Sequence, residues 1–262
     1  MNVYQMLAYE SMRTFFGPWL SLAFRIHSEG AENVPKDGGA LMICNHRSIL
    51  DPLALMTEVE RYVHFVAGSH GFVVPMVKTF YHMTGMVRLS LKGGAGSAQG
   101  IDEAVDLLKS GELVGIFPEG IESIMRPDRS SKISYFRTGF ARVALEAGTP
   151  IIPAAVIPRE EVKLPPVPGK LVGSYVKHPA ADEGPLRFML YKKVLVRVGQ
   201  PIDLSGFLDQ PLTKTAIDTL SGKLRRIVIK LYNGEDLDRF LTGETPFDFA
   251  YERVGGGTKK LL

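Results

Sequence analysis

His46 and Asp51 are the residues of this chain whose types and spacing point most directly to chemistry; both lie in Asn45-His46-Arg47-Ser48-Ile49-Leu50-Asp51. A histidine titrates near neutrality, so it can take the proton of an alcohol while that alcohol attacks a carbonyl carbon. A carboxylate on its second ring nitrogen would fix the tautomer and stabilise the imidazolium that forms, as in a Ser-His-Asp triad with a substrate hydroxyl in place of the serine. On one regular helix, at roughly 100° per residue, two side chains with this spacing would point about 140° apart. They can meet only if His46 lies in a loop and Asp51 at a helix start. Pro52 favours that arrangement, because proline suits the first helical position and aspartate a cap. The preceding Leu41-Met42-Ile43-Cys44 is apolar and short, as a buried strand is.

Other chemistry-bearing groups fall at similar junctions. Leu113-Val114-Gly115-Ile116-Phe117 reads as a buried strand and runs into Pro118-Glu119-Gly120. Residues 85–91 read as a strand carrying Arg88, with Lys92 just beyond it. Further strands are expected at 26–32, 40–44, 63–67, 151–157 and 194–198. Helical patterns occupy 52–57, 74–83, 101–109, 136–147 and 212–231. The glycine-rich 93–100 is expected to be a mobile loop, 121–135 a polar and basic loop, and the proline-rich 158–187 irregular. Strands alternate with helices and several are continuously apolar. The expected fold class is therefore α/β, a mostly parallel central sheet covered by helices on both faces. Sites in such sheets form beyond the carboxyl ends of the strands, which gathers His46, Arg88 or Lys92, and Glu119 at one edge.

The composition is that of a globular chain: 262 residues, 45% hydrophobic, 23% charged and a formal net charge of +3. That small excess does not indicate nucleic acid; an anionic membrane surface or a phosphorylated substrate suits it better. Cys44 is the single cysteine, which excludes an internal disulfide, fits a reducing compartment and reads as a small buried hydrophobe. His64, His70 and His82 match no standard metal-ligand spacing, so no metal is expected. Gly93-Gly94-Ala95-Gly96 lacks the order of a nucleotide-binding loop. No secretory signal and no uninterrupted apolar run long enough to span a bilayer is expected. Residues 3–26 instead read as broken helix, with Phe15, Phe16, Trp19, Leu20 and Leu22 flanked by arginines and a kink at Gly17-Pro18. A helical hairpin lying in a membrane interface is the expectation there. Arg225, Arg226 and Lys230 on the late helix read as a solvated face.

These blocks together resemble the glycerophospholipid acyltransferases, the lysophosphatidate acyltransferase-like superfamily. Asn45–Asp51 is similar to its NHxSxxD block and Phe117-Pro118-Glu119-Gly120 to its FPEG block. Residues 148–156 are similar to its final G-x-P-I-x-P-V strand, and the likeness runs over roughly residues 10–232. The resemblance implies a membrane-associated enzyme that moves a fatty acyl group from acyl-CoA or acyl carrier protein, as co-substrate, to a glycerolipid hydroxyl. The first acceptor it implies is 1-acyl-sn-glycerol-3-phosphate. It makes His46 the general base and Asp51 its orienting partner, with Asn45, Ser48, Arg88, Lys92, Glu119, Gly120 and Arg137 as candidate substrate contacts. No cofactor beyond the acyl donor is implied. The implied organisation is membrane-associating helices at 1–26, the acyltransferase domain at 27–242 and a tail at 243–262, sited peripherally or monotopically on the cytoplasmic face of a membrane.

The chain departs from the pattern after FPEG. Family members acting on glycerol phosphates often continue Thr-Arg-Ser, whereas here Ile121-Glu122-Ser123 follows, and an acid there would repel phosphate. Arg126, Arg129, Lys132 or Arg137 could supply the cation instead. Another lysophospholipid, a mono- or diacylglycerol acceptor, or a non-catalytic lipid binder on the same fold are the competing readings.

Overall fold

The computed structural model describes residues 3–69, 71–73, 75–90, 95–127, 133–174, 176, 178–208 and 213–235. Its strands are β1 Ile26–Glu29, β2 Ala40–Cys44, β3 Val63–Gly68, β4 Val87–Leu89, β5 Leu113–Ile116, β6 Ile151–Lys163 and β7 Met189–Val198. They form one sheet in the order β1-β7-β6-β2-β5-β3-β4. Every neighbouring pair is parallel except β6 with β7. The expected α/β class and mostly parallel sheet are borne out. The helices are α1 Val3–Ser11, α2 Gly17–Ala23, α3 Asp51–Glu58, α4 Pro75–Met83, α5 Ala95–Lys109, α6 Glu122–Met125, α7 Gly139–Ala147, α8 Gly169–Gly173, α9 Pro179–Asp182, α10 Ser205–Leu208 and α11 Lys214–Asn233.

β2 is central, and all five of its residues are buried. That is why its sequence is continuously apolar and does not alternate. One hydrophobic cluster joins the sheet to α5, α7 and α11, with Leu108, Phe140, Leu224 and Ile227 at its heart. A second lies on the other face, where Leu55 and Met56 of α3 and Tyr9 of α1 pack. The helix α11 is capped at both ends as its sequence suggests. The Thr213 hydroxyl accepts the Ala216 N–H at 3.2 Å, and Gly234 takes the left-handed conformation at φ 77°.

Three expectations are corrected. The segment expected to be irregular from 158 onward continues β6 to Lys163, paired with a β7 that begins at Met189. Pro158 misleads because proline usually ends a strand; here it sits at a bulge, where the lost donor costs no ladder bond. The glycine-rich stretch is helical from Ala95, while Gly93 and Gly94 lie outside the described residues. Gly100 belongs there because a Cβ at that position would come within 2.5 Å of the Arg88 carbonyl oxygen, so α5 can approach β4 closely. The N-terminal helices do not form a hairpin. The chain remains helical through Gly17-Pro18, with a π-helical turn over Met12–Phe16 accommodating the missing proline donor.

One side of this N-terminal element packs on the domain. Tyr9 is fully buried, packs its ring at a tilt of 39° against Tyr62 at 4.1 Å and accepts the Val63 N–H, and Ser21 donates to Glu58 at 3.0 Å. The other side is open: Tyr4, Phe15, Phe16, Trp19 and Leu22 are each 63–80% exposed. Met83 of α4 is also exposed, and the Gln5 amide donates to the carbonyl of its neighbour His82. Among the described residues no helix is long and apolar enough to cross a membrane. The expected tail at 243–262 lies outside the described residues.

Candidate active site

β2 ends at Cys44, and Asn45 replaces the next rung of the ladder with its own side chain. Its Nδ2 donates to the Val156 carbonyl at 2.9 Å and its Oδ1 accepts the Val156 N–H at 2.8 Å. The strand is thereby locked to β6 while the main chain turns away. His46 follows in the turn, and its Nδ1 lies 2.8 Å from Asp51 Oδ2. The same Asp51 oxygen accepts the N–H groups of Arg47 and Ser48 at 2.7 and 2.9 Å. Its other oxygen accepts the Tyr191 hydroxyl of β7. Asp51 is wholly buried and does not cap α3, contrary to expectation, because its carboxylate faces back onto the loop.

This geometry assigns the proton. A carboxylate at Nδ1 holds hydrogen there and leaves Nε2 as the acceptor nitrogen. Among the described residues Nε2 has no protein partner, and His46 lines a cavity of about 570 Å³. The ring stacks on Phe117 at 4.2 Å between centroids, and Phe65 stacks on the same phenylalanine at 5.6 Å. The imidazole is thus fixed in both tilt and tautomer. The cavity walls are mainly apolar, with Phe65, Val66, Ile101, Ala104, Phe140 and Val143 among them. Its volume falls in the range of a pre-formed ligand pocket, roughly 300–1,000 Å³.

Glu119 sits behind the histidine. Its Oε1 accepts the His46 N–H at 2.7 Å and its Oε2 accepts the Ser134 N–H. Burial pushes its carboxyl above the usual range, and the two N–H donors work against that shift. Ser134 and Ile133 in turn offer their carbonyls to Arg225 of α11, at 2.6 and 2.7 Å. Arg225 therefore braces the His46 loop through Glu119 and is not part of a solvated face. Arg47 makes a bidentate pair with Glu161 on the extended part of β6, with its Nη2 2.9 Å from Oε2.

The structure brings together His46, Asp51, Glu119, Gly120 and Arg137, and gives several of the expected substrate contacts other work. Asn45, Ser48 and Glu119 are buried and do not line the cavity. The Ser48 hydroxyl donates to the Met189 carbonyl at 2.7 Å and accepts the Leu50 N–H, so it ties the loop to β7. Arg88 points out of the cavity and lies over the Phe72 ring at 5.5 Å. Of that segment it is Met86, Leu89 and Ser90 that line the cavity. Gly120 has φ +73°, and a Cβ there would come within 3.2 Å of Arg137 Nε, so the space above it is taken by Arg137. Arg137 lines the cavity; its main-chain N–H donates to the Pro118 carbonyl at 2.9 Å, and its guanidinium has no hydrogen-bond or ion-pair partner among the described residues. Arg126 is held by main-chain carbonyls. Lys92, Arg129 and Lys132 lie outside the described residues. Glu122 is exposed and does not line the cavity. Cys44 is buried, and burial next to Asp51 pushes its thiol up, so it stays a neutral hydrophobe.

Sequence reasoning missed Tyr191. Burial, reinforced by the Asp51 charge, pushes its hydroxyl well above the usual range, so it remains a donor to that carboxylate. The signal was the buried pair Met189 and Tyr191, two apart on one face at the start of β7 and followed by Lys192-Lys193, which hides the strand. Tyr191→Phe is expected to cost about 1.5–3 kcal/mol of stability, the worth of a hydrogen bond to a charged group. Its kcat should fall about 10-fold to 100-fold through a looser His46, with KM little changed. Thermal unfolding and steady-state kinetics read the two effects separately.

A loop histidine held by a buried aspartate, at the carboxyl edge of a mostly parallel sheet and facing an apolar pocket, is the arrangement of an α/β protein whose geometry suits taking the proton of a hydroxyl. Residues 25–157, just over half of the chain, match the family described as Acyltransferase, and the chain belongs to that family. It is 32% identical over 161 residues to an uncharacterised protein of Mycobacterium tuberculosis, covering 58% of this chain and 41% of that protein. It is 28% identical over 144 residues to the chloroplastic 1-acyl-sn-glycerol-3-phosphate acyltransferase LPAT1 of Arabidopsis thaliana, covering 53% of this chain and 39% of the relative. The chain thus matches about two fifths of the length of these relatives. The crystal structure of the 1-acyl-sn-glycerophosphate acyltransferase PlsC from Thermotoga maritima shares the fold, with a TM-score of 0.56 at 19% identity over 87% of this chain and 80% of that one.

Proposed function

We propose that this acyltransferase moves a fatty acyl group from acyl-CoA or acyl carrier protein to the free hydroxyl of 1-acyl-sn-glycerol-3-phosphate at a membrane surface. The observation that carries the reading is His46, tied to Asp51 at 2.8 Å by Nδ1 and lining an apolar cavity, with Nε2 unpartnered among the described residues. Nε2 takes the hydroxyl proton as the oxygen attacks the thioester carbon. The carbon–sulfur bond breaks, and the imidazolium returns the proton to the departing thiolate. An ester and a free thiol result, and no acyl-enzyme forms. Asp51 stabilises the imidazolium between the two transfers. Arg137 is the one Lys or Arg among the described residues lining the cavity, which suits an acceptor phosphate. Glu122 lies off the cavity, which removes the repulsion its position in the sequence suggested.

Thiol release from acyl-CoA and from acyl carrier protein, measured with lysophosphatidate, other lysophospholipids and monoacylglycerol, tests this. Lysophosphatidate should give the highest kcat/KM, and Arg137→Gln should lower it about 10-fold to 100-fold by raising KM. The reading fails if monoacylglycerol is preferred and Arg137→Gln leaves every acceptor unchanged.

The open face of α1 and α2 supports peripheral or monotopic attachment, on the cytoplasmic side where a lone buried thiol is at home. Apolar side chains on one side of a helix docked to the domain by its other side suit the bilayer interface. The full chain should float with anionic phospholipid vesicles, whereas Phe15→Glu with Trp19→Glu should leave most of the protein at the bottom of the gradient. Equal flotation would rule out this face as the anchor.

A further inference from the structure

We propose that Arg47 and Glu161 are a positioning pair for the general base: the far end of the β6–β7 hairpin clamps the His46 loop at two points, through Arg47 and through Asp51, and so holds the imidazole against its aspartate. The role rests on the acyl transfer proposed above and adds to it the part of the chain that keeps the histidine in place.

Arg47 stands between His46 and Ser48 in the turn, and it does not line the cavity. Its Nε and Nη2 both donate to Glu161, Nη2 to Oε2 at 2.9 Å, and its Nη1 donates to the Pro127 carbonyl at 3.4 Å. The two side chains are 19% and 20% exposed, so little water competes for the pair. A forked contact of this kind fixes orientation as well as distance. The main-chain N–H of Arg47 donates to Asp51 Oδ2 at 2.7 Å, the oxygen that also meets His46 Nδ1. That N–H belongs to the planar peptide unit that begins at the His46 carbonyl. Anchoring Arg47 therefore restrains the plane that carries both the histidine's own carbonyl and a donor to the histidine's partner.

Glu161 comes from the part of β6 that runs on past the bulge, and its direct partner across the hairpin is Tyr191. Side chains of directly opposed residues in an antiparallel pair share a face. One rung of the hairpin thus presents two groups to the loop. Tyr191 donates to Asp51 Oδ1, and Glu161 takes the Arg47 guanidinium. Asp51 is gripped at one oxygen by β7 and at the other by the N–H of a residue that β6 holds. The circuit closes on itself, from Asp51 to Arg47, across to Glu161, over the rung to Tyr191 and back to Asp51. The Ser48 hydroxyl adds a tie to the Met189 carbonyl at 2.7 Å, at the start of the same hairpin end. Glu161 and Tyr191 both lie past residue 157, where the family match ends.

A clamp and a mere nearby charge differ in what lysine does at position 47, since lysine keeps the charge and loses the fork. The full chain is compared with Arg47→Lys, Arg47→Gln, Glu161→Gln and the double variant Arg47→Gln with Glu161→Gln. Steady-state thiol release reads kcat and KM, and thermal unfolding checks the fold. Proton NMR reads the hydrogen shared by His46 Nδ1 and Asp51, a far-downfield resonance identified by its loss in His46→Ala. Each single variant, Arg47→Lys included, should lower kcat about tenfold with KM for donor and acceptor within about twofold, as a histidine held less tightly would. The double variant should cost no more than either glutamine variant, because two halves of one clamp fail together. In all four the resonance should move upfield and broaden. An unmoved resonance, wild-type kcat in Arg47→Lys, a double variant that multiplies the two losses, or a rise in KM without a fall in kcat would each overturn the clamp. Should the glutamine variants melt below the assay temperature, Arg47→Lys decides alone. A wild type that releases no thiol would fail the proposed reaction, and the resonance would still decide the clamp.

Discussion

His46→Ala is expected to lower the kcat of acyl transfer by about 10³-fold, inside the range of roughly 10²–10⁴ that a positioned general base contributes. KM for either substrate should change little, since the apolar walls and Arg137 remain. The fold should survive. Asp51 keeps three donors when the imidazole is gone, the N–H groups of Arg47 and Ser48 and the Tyr191 hydroxyl. The main-chain N–H of position 46 still reaches Glu119. Thiol release with saturating acceptor measures the loss, and an unchanged circular dichroism spectrum separates it from unfolding. Turnover within tenfold of the wild type would mean that another group takes the hydroxyl proton.

Asp51→Asn should cost about as much activity, about 10³-fold in kcat, by a different route. An asparagine can turn its oxygen to the three N–H donors of the loop and its amide to Tyr191, whose hydroxyl then accepts. The hydrogen bonds are largely conserved and the negative charge is lost, so the imidazolium formed during transfer is no longer stabilised. Asp51→Ala should behave otherwise. It leaves two buried N–H groups and the Tyr191 hydroxyl without partners, at about 1–3 kcal/mol each, and the protein should melt well below the wild type. The pair of variants separates charge from architecture. Equal melting temperatures for both, or near-normal activity of Asp51→Asn, would contradict the assigned role.

Much of this protein is written locally. β2 is apolar over its whole length because both of its faces are covered, and that pattern is visible without neighbours. Polar residues between an apolar strand and a proline-started helix forced His46 into a loop and Asp51 to the helix start, and there they are. The family blocks lie in these same local segments, which is why the candidate site could be read before the fold. What escaped is what depends on partners distant in the chain. Pro158 looked like a strand end because a bulge can be seen only against the paired strand. Tyr191 and Glu161 reach the active-site loop on the strands prolonged past that bulge.

The sequence by itself determined the sheet, its helical cover, and the pairing of His46 with Asp51, since each follows from hydrophobic period and spacing over a few neighbours. The tertiary structure alone decided what the surrounding polar groups do. Asn45, Ser48, Glu119 and Arg225 carry side chains that could equally bind a substrate or a main chain. A hydrogen-bonding side chain takes whichever partner lies within about 3 Å. For these four that partner is protein, 91–141 positions away for Asn45, Ser48 and Arg225 and at His46 for Glu119.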